Sequence, residues 1–411
     1  MFKLCLFDLD DTLIRTDDLK AVREACKNNE DQKNLSKLIS AIKADEDRHL
    51  YDLSTVKKIR SDFPELKLGV FTRSPRSYAK VVLDWAYPKF EWDIVVAYED
   101  VKWTKPRGDG IVKAIQEFGV KYLTEVVLVG DNDVDVRSAY NCGCLVVVDK
   151  GGWPYKWGNE HWGALQRVPD ALIGSPSEVS TVLSDPHSFL PDLERLMEGA
   201  TGSSRFDKIN HFIPKAIGGD STAYPIHVAG RYFSNYKSIH QRRKWHSLTD
   251  SIEKNKNSDN FPEEWIKTLR NFINGEFPAY FGTKHVVVTV IPHRPGRKPR
   301  LENLLTQLQQ SIVDEPIKNR SIVCEPDLLS FKGGVKSQHN DHLNGNERFE
   351  NVRDHLFVQF PQKVAGGTSY LVLDDVTTTG ASLIYASKYL KTAGAGIIKC
   401  LSLAKNIGTV L

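Results

Sequence analysis

The sequence predicts an α/β fold made of two Rossmann-like parallel-sheet domains, joined by a linker and a helical segment. The chain has 411 residues, which is more than a single hydrophobic core usually holds. From Phe2 to about Gly174, short apolar runs alternate with longer helical patterns, as strands and helices do around a parallel sheet. Strand, turn and helix patterns return after Lys284, so we expect a second α/β unit there.

Apolar runs of strand length set the predicted sheet of the first domain. They extend over residues 3–9, 66–71, 93–97, 125–129 and 144–148. A charged segment, 17–62, separates the first two runs. Because its apolar side chains recur at helical spacing, we predict a small helical insert there; these are Leu35, Leu38, Ile39 and Ile42.

The strand pattern is lost over residues 175–225, where small polar residues become frequent, and we interpret this stretch as a linker. The predicted domains are therefore 1–174 and 226–411. In the second domain, residues 226–273 are predicted to be helical. Later strands are expected at 284–291, 370–373 and 397–401, with a helix over 381–393.

Composition excludes some classes of protein. No apolar run approaches the roughly 20 residues that a membrane-spanning helix needs, and Asp8 interrupts the apolar amino terminus, which favours a strand over a signal peptide. We therefore expect a cytoplasmic protein without a membrane partner. The net charge of +3 is small for this length, so bulk electrostatics do not require a nucleic-acid partner.

Two carboxylates lie at the end of the first predicted strand. Asp8 and Asp10 are separated by one residue, which places both on the same side of the chain at the carboxyl edge of the sheet. A carboxylate there can attack a phosphoryl group, and a neighbouring acid can protonate the leaving oxygen and then activate water. We assign the first role to Asp8 and the second to Asp10.

Further predicted strand ends and loops supply the remaining parts of a phosphate site. Acidic residues at 131, 133 and 135 follow the strand 125–129, and carboxylate oxygens are ligands that Mg²⁺ prefers. The Thr72 hydroxyl and the Lys105 ammonium can bind phosphoryl oxygens. We predict Mg²⁺ as the cofactor, with ligands from Asp8, Asp10, Asp131 and Asp135; Asp133 is an alternative to Asp135.

These motifs, in this order, resemble those of the haloacid dehalogenase superfamily over roughly the first 175 residues. The resemblance implies a phosphatase with an aspartate nucleophile at position 8 and an acid/base at position 10. It also implies phosphate binding by Thr72 and Lys105, and metal binding by Asp131 and Asp135. The acid at position 10 favours phosphate chemistry, since dehalogenases lack a carboxylate there.

A second acidic and hydroxyl-rich motif follows the apolar run 371–373, and we expect its acidic pair to end that strand and open a turn. Asp374 and Asp375 could accept hydrogen bonds from ribose hydroxyls, and the following helix start could hold a phosphate with its N–H groups. The candidate phosphate ligands are Thr377, Thr378, Thr379, Gly380 and Ser382.

This motif resembles the phosphoribosyl-pyrophosphate loop of type I phosphoribosyltransferases, in particular the competence-type proteins associated with DNA uptake. The zinc segment that often precedes that domain is missing here. The resemblance implies phosphoribosyl pyrophosphate as a ligand, pyrophosphate binding near a turn, and a mobile loop over the site. The turn residues are Pro292, His293 and Arg294, and Lys336 and Arg348 belong to the loop region.

Three functions therefore remain open. The first is a bifunctional phosphohydrolase and phosphoribosyltransferase that acts on nucleotide-like or phosphoribosyl metabolites. The second is a phosphatase controlled by a domain that binds phosphoribosyl pyrophosphate without turnover. The third is a phosphatase for nucleic-acid ends, because residues 241–246 mix basic and aromatic side chains, although a solvated helix face packed by its aromatic side chains is favoured over a nucleic-acid surface. The oligomeric state cannot be predicted.

Overall fold

A computed structural model describes residues 1–26, 32–45, 47–279, 282–336 and 343–411. It divides into two compact units. The first unit consists of Met1–Phe189, Phe233–His246 and Gly408–Leu411, and the second of Leu190–Tyr232 and Ser247–Ile407. The stretch 175–225 contains regular helices and strands. The domain limits 1–174 and 226–411 remain a prediction.

The first unit alternates strands and helices. Up to residue 184 its elements are β1 (Leu4–Phe7), α1 (Lys20–Ala25), α2 (Gln32–Lys43), α3 (Leu53–Asp62), β2 (Lys67–Phe71), α4 (Arg76–Ala86), β3 (Ile94–Val96), α5 (Asp109–Phe118), β4 (Val126–Gly130), α6 (Asp133–Cys142), β5 (Leu145–Asp149), α7 (Asn159–Gln166), β6 (Ala171–Ile173) and α8 (Val179–Ser184).

These strands form a parallel sheet in the order β3-β2-β1-β4-β5-β6. The α/β class and the parallel sheet predicted for this part of the chain are confirmed. β1 lies at the centre and pairs with β2 on one side and β4 on the other, so the chain leaves it in opposite directions. Ligands bind at such a switch point, beyond the carboxyl ends of the strands.

The insert between β1 and β2 contains α1, α2 and α3. Leu38 and Ile42 are buried, whereas Ile39 is 41% exposed. Positions four apart on a helix share a face, which is why the spacing identified the buried side of α2.

The chain continues into the second unit with α9, and α10 belongs to the first unit. The elements are α9 (Asp192–Met197), β7 (Asp207–His211), β8 (Tyr224–Val228), β9 (Arg231–Phe233), α10 (His240–Trp245), α11 (Ser247–Lys254), α12 (Glu263–Glu276), β10 (Lys284–Val290), α13 (Arg300–Asp314), β11 (Arg320–Cys324), β12 (Leu329–Phe331), α14 (Gly345–His355), β13 (Leu356–Val358), β14 (Ser369–Thr377), α15 (Ala381–Thr392) and β15 (Ile398–Ile407).

The second large sheet is mixed rather than wholly parallel. Its order is β11-β10-β14-β15-β8-β7, with β9 also paired to β15, and β7 runs antiparallel to β8. The helix expected from residue 226 is wrong at its start, because β8 and β9 precede the helices. Ile226 and Val228 are buried in β8, and β-branched residues favour such a position.

The acidic pair of the second unit lies inside a strand. β14 continues from Ser369 to Thr377, past the predicted end at Leu373, because it pairs with the long strand β15. Thr377 is opposite Lys405 in that ladder. The turn therefore begins after Thr377, and the prediction that the acidic pair opens it is wrong.

In the part of the chain that the structure describes, none of the helices combines the length and the apolar character that crossing a bilayer requires.

Candidate active site

The carboxyl ends of β1 and β4 bring the first set of predicted residues together. Asp8 follows β1, and its backbone N–H donates to the Val129 carbonyl oxygen of β4 at 2.8 Å. Asp131 follows β4. Neighbouring parallel strands end at the same edge of a sheet, so residues 123 positions apart in sequence become neighbours.

Three buried carboxylates, those of Asp8, Asp131 and Asp135, each place an oxygen within 4.8 Å of the others. Asp135 reaches this group because it is the third residue of α6, where it also accepts from the Asn132 backbone N–H at 3.2 Å. Asp133 is held elsewhere: its carboxylate lies 2.6 Å from Arg167 Nε. Of the two alternatives, it is therefore Asp135 that lies with Asp8 and Asp131.

Lys105 supplies positive charge to this carboxylate cluster. Its Nζ lies 2.6 Å from Asp8 Oδ1 and 2.6 Å from Asp135 Oδ1, and its side chain is fully buried. Burial by itself would lower the pKa of Lys105, but the adjacent Asp135 and Asp8 carboxylates outweigh it and raise that pKa. The lysine is therefore held as a cation.

One ammonium does not balance three carboxylates. Burial raises the pKa of Asp8 to about 7; Lys105 opposes this shift, and Asp135 and Asp10 add to it. Burial, together with Asp135 and Asp8, also raises the pKa of Asp131 well above its usual range. A cluster of hard oxygen donors with unbalanced negative charge fits a magnesium ion. Asp8, Asp131 and Asp135 are the residues that would hold it.

The Asp10 carboxylate lies outside the group of three and is held by donors of its own. Tyr78 Oη donates to it at 2.9 Å and Thr16 Oγ1 at 2.8 Å. Ser74 Oγ also donates to it, and Arg23 Nη1 lies 3.2 Å away. These contacts fix the orientation of Asp10, whose predicted role as a metal ligand remains a prediction.

Thr72 follows β2 and completes this region. Its hydroxyl lies 3.4 Å from Asp10 Oδ2 and accepts from the Ser74 backbone N–H at 3.0 Å. A cleft of about 420 Å³ opens above these residues. Asp8, Asp10 and Thr72 line it, together with Lys20 and Arg23 from the insert. The predicted nucleophile, acid/base and phosphate-binding hydroxyl therefore face one space.

Sequence reasoning missed several residues here. Ser74 stands two residues beyond Thr72 in the same turn and could have been found by that position. Thr12 stands four residues beyond Asp8, and its Oγ1 donates to Asp131 Oδ1 at 3.0 Å. Arg23 and Tyr78 carry no local signal, because their contacts with Asp10 depend on how α1 and α4 pack.

In the second unit, the acidic pair lines a cleft of about 520 Å³ with the predicted pyrophosphate turn. Asp375 pairs with Arg300, the first residue of α13. Burial raises the pKa of Asp374 to about 7, and Arg300 and Arg294 oppose the shift. The structure thus brings together acidic and basic side chains that stand some 80 residues apart in sequence.

The other residues that line this second cleft include Pro292, His293, Gly296, Arg297, Lys298 and Ser382. His293 Nδ1 lies 2.8 Å from Glu302 Oε1, so its ring is already engaged. Lys336 and Arg348 are not among the lining residues. Arg348 Nε donates to the Leu343 carbonyl oxygen at 3.0 Å instead. Neighbouring predicted loop residues, Ser337 and Gln338, lie outside the described residues.

The loop between β14 and α15 is fixed by its neighbours. Lys405 Nζ donates to the Thr378 carbonyl oxygen at 2.7 Å, and the buried His211 ring lies against this loop at Gly380. Gly380 has a φ of 77°, and a Cβ there would lie 2.8 Å from His211 Cγ. Position 380 therefore requires glycine, because other residues rarely adopt this φ and a side chain would collide with His211. Thr377, at the end of β14, is buried.

The basic and aromatic stretch 241–246 is partly packed within the first unit, with Arg242 and His246 buried and Gln241 and Lys244 exposed. Arg242 is 1% exposed and pairs with Asp170, and it also donates to the Cys144 carbonyl oxygen at 2.9 Å. Trp245 Nε1 donates to the Gly143 carbonyl oxygen at 2.9 Å. Arg242 is therefore not available to contact a nucleic-acid strand, which weakens the nucleic-acid alternative.

Comparison with known proteins identifies relatives of the first unit. The family of haloacid dehalogenase-like hydrolases matches residues 20–148, a range that includes Thr72, Lys105, Asp131 and Asp135. The pyrophosphatase PpaX of Bacillus cereus (strain AH820) is 29% identical over 119 residues, which are 29% of this chain and 52% of that protein. PpaX of Bacillus thuringiensis (strain Al Hakam) matches to the same extent. The chain thus spans about half the length of the curated relatives it matches.

Among solved structures, a predicted phosphoglycolate phosphatase from Haemophilus somnus 129PT is 19% identical, with a TM-score of 0.32, and the match covers 44% of this chain and 97% of that one. A putative β-phosphoglucomutase from Thermotoga maritima is 17% identical with a TM-score of 0.33, and the match covers 45% and 99% of the two chains. Over residues 20–148, the amino-terminal part of the chain therefore matches the haloacid dehalogenase-like hydrolases, and the curated relatives that it resembles are named pyrophosphatases.

Proposed function

We propose that the first unit is a Mg²⁺-dependent phosphohydrolase that uses Asp8 as a covalent nucleophile. The observation that carries this proposal is the cluster of Asp8, Asp131 and Asp135 around the buried Lys105 ammonium. A nucleophilic carboxylate and a phosphate dianion repel each other unless positive charge lies between them. A bound Mg²⁺ would supply that charge and polarise the phosphoryl oxygens.

The residues of this chain divide the reaction into two displacements. In the first, an Asp8 oxygen forms a bond to phosphorus while the bond to the leaving oxygen breaks, and protonated Asp10 gives its proton to that oxygen. In the second, the Asp10 carboxylate takes a proton from water, whose oxygen attacks phosphorus. The aspartyl-phosphate bond breaks, phosphate leaves and Asp8 is restored.

Other side chains bind and orient the phosphoryl group. We assign donation to its oxygens, as charge redistributes, to the Thr72 hydroxyl, which lines the cleft, and to the Lys105 ammonium, which lies 2.6 Å from Asp8 Oδ1. Tyr78, Thr16 and Ser74 hold the Asp10 carboxylate through hydrogen bonds. Donors fixed before the substrate arrives need little rearrangement during the reaction, which lowers its barrier.

The substrate class that we propose is phosphorylated small molecules, and inorganic pyrophosphate belongs in the test because PpaX relatives are named pyrophosphatases. Phosphate release would be measured over sugar phosphates, nucleotides and pyrophosphate, with Mg²⁺ and with a chelator. We expect release that requires Mg²⁺ and disappears in Asp8→Asn. Release that persists unchanged in Asp8→Asn would contradict the nucleophile.

We propose that the second unit binds phosphoribosyl pyrophosphate and transfers its phosphoribosyl group to a base-like acceptor. Support comes from the cleft that Asp374 and Asp375 share with Arg294 and Arg300. Carboxylates can accept from ribose hydroxyls, and arginines suit the pyrophosphate that leaves. The acceptor nitrogen would form a bond to the ribose carbon as the bond from that carbon to pyrophosphate breaks.

The alternative for the second unit is a sensor that binds phosphoribosyl pyrophosphate and controls the phosphatase. Pyrophosphate release from phosphoribosyl pyrophosphate and a pool of bases distinguishes the two. Release that disappears in Asp374→Asn/Asp375→Asn supports transfer. Saturable binding without release, accompanied by a changed phosphatase rate, supports the sensor. A protein that neither binds phosphoribosyl pyrophosphate nor releases pyrophosphate from it would contradict both hypotheses.

A further inference from the structure

Asn141, on α6, links the loop that carries Lys105 to a segment from a distant part of the sequence. Its Oδ1 accepts from the Gly108 backbone N–H at 2.9 Å, and its Nδ2 donates to the Ser238 carbonyl oxygen at 2.9 Å. Gly108 follows Lys105 by three residues. One side chain therefore holds both the lysine loop and residues 233–246, which belong to the same unit.

The lysine loop packs closely against the end of α6. A Cβ at Gly108 would lie 2.8 Å from both the Cys142 backbone nitrogen and its Cβ, so no side chain fits there. The Lys105 side chain is fully buried, and its Nζ makes two contacts of 2.6 Å. Because a buried side chain has no room to reorient, the position of that nitrogen depends on where the loop backbone lies.

The segment 233–246 is held in place by contacts within the first unit, so it can fix the position of the Asn141 side chain. Arg242 is buried, with Asp170 as its ionic partner. A Cβ at Gly143, just beyond α6, would lie 2.7 Å from Gln241 Cβ, so the segment touches the helix end directly. Ser238 Oγ also lies 3.3 Å from Thr409 Oγ1 of the carboxyl-terminal residues. The Ser238 carbonyl oxygen is thus a fixed acceptor.

We propose that Asn141 is a positioning residue for Lys105, and that the segment 233–246 completes the phosphohydrolase by holding Asn141. The inference rests on the phosphohydrolase function proposed above. Asn141 does not touch the substrate in this account. It fixes the loop backbone through Gly108, and the loop in turn fixes the ammonium between Asp8 and Asp135.

A double-mutant cycle on the full chain tests the proposal. We expect Asn141→Leu to lower kcat by about 10- to 100-fold, since a misplacement of about 1 Å at a reacting centre can cost 100-fold. In a Lys105→Met background the same change should have little further effect, because effects of coupled residues are not additive. Asn141→Asp, which keeps an acceptor for Gly108 but loses the donor to Ser238, should retain more activity than Asn141→Leu.

Arg137→Met is the matched control, because Arg137 is on the same helix and donates to the Val410 carbonyl oxygen at 2.7 Å. It should lower the Tm of the first unit without changing kcat per folded molecule. Reductive methylation followed by mass spectrometry gives a readout without turnover. Lys105 should be protected in wild type and in Arg137→Met, and modified in Asn141→Leu.

The possible outcomes distinguish a failure of the positioning role of Asn141 from a failure of the proposed phosphohydrolase function. Additive effects of Asn141→Leu and Lys105→Met, with Lys105 still protected from methylation, would overturn the positioning role. An absence of phosphate release from wild type would contradict the phosphohydrolase. The methylation pattern would then still decide whether Asn141 fixes Lys105.

Discussion

Two regions of this chain place carboxylates beside a buried apolar strand, and their surroundings give them opposite character. Asp8 lies with two further buried carboxylates and one lysine. Asp374 and Asp375 face a cleft with several basic residues, and Asp375 pairs with Arg300. The acidic motif is similar in the two places. What differs is the charge of the residues that the fold brings from elsewhere.

The pKa values express this contrast. Burial raises the pKa of Asp8 and of Asp374 to about 7 in each case. For Asp8, Lys105 opposes the shift while Asp135 and Asp10 increase it. For Asp374, the charged groups that act on it are Arg300 and Arg294, and both oppose the shift. The first site therefore needs additional positive charge, whereas the second already has two arginines beside its carboxylates.

The largest expected effect separates the two regions by activity. Asp8→Asn should lower phosphate release by a factor on the order of 10⁴ to 10⁶, as loss of a covalent nucleophile does. Asp374→Asn should leave phosphate release within about twofold in the absence of phosphoribosyl pyrophosphate, because it lies in the other unit. Steady-state kinetics of both variants measure the contrast. Equal losses in the two variants would contradict it.

The next effect concerns charge balance at the first site. Lys105→Met should destabilise the first unit by about 3–5 kcal/mol, since it leaves buried carboxylates without their partner. Mg²⁺ should restore part of this loss, because it binds the folded cluster; a ligand at 100 times its Kd contributes about 2.7 kcal/mol. Thermal unfolding with and without Mg²⁺ measures both changes. Lys113→Met, at a partly exposed lysine of α5, is the control.

At the second site, the tight loop predicts a smaller loss. Gly380→Ala should destabilise the second unit by about 1–3 kcal/mol, because a φ of 77° strains an alanine and its Cβ would meet the His211 ring. Binding of phosphoribosyl pyrophosphate should weaken at the same time. Gly367→Ala, where a Cβ would have open space, is the comparison. Unchanged stability and binding in Gly380→Ala would argue against the role given to this loop.

The smallest effect is a pH dependence from the second unit. Burial, with a contribution from Lys405, lowers the pKa of His211 to about 3, whereas an unfolded histidine titrates near 6.5. The unfolded state then binds more protons between these values, so stability is complete above about pH 6.5 and falls as the pH decreases. At pH 5 the loss should be about 2 kcal/mol.

Urea unfolding of wild type and His211→Asn at pH 7.5 and pH 5 measures this contribution. The difference in unfolding free energy between the two pH values should be smaller in the variant by about that amount. An identical pH dependence in the two proteins would show that His211 does not titrate differently in the folded state.

The contrast between the regions also explains what could be read from the sequence. Asp8 and Asp131 follow strands, and Lys105 lies in a loop. These strands and loops have regular positions in a parallel sheet, so the proximity of the three residues could be predicted. The choice between Asp133 and Asp135 could be made only once the first residue of α6 was known. Arg23 and Tyr78 reach Asp10 from helices whose packing the sequence does not encode locally.

In the second region, the polar residues of the motif led to a wrong prediction of where the strand ends. Asp374 and Asp375 looked like the beginning of a turn, yet β15 is long enough to continue the ladder to Thr377. In the first unit, Arg242 was expected on a solvated helix face, and only the fold shows that Asp170 neutralises it. Such errors arise where a long-range partner, rather than local composition, decides burial.

The most direct test of the central claim is to trap the covalent intermediate on the first unit. We expect Asp10→Asn to slow hydrolysis of the intermediate, so this variant can be mixed with substrate and Mg²⁺ and treated with borohydride, which reduces an aspartyl-phosphate to homoserine. The account predicts homoserine at position 8, found by mass spectrometry of the peptide that contains it, and none when Asp8→Asn is combined with Asp10→Asn. Substrate turnover by wild type with the reduced residue at another position, or at none, would contradict it.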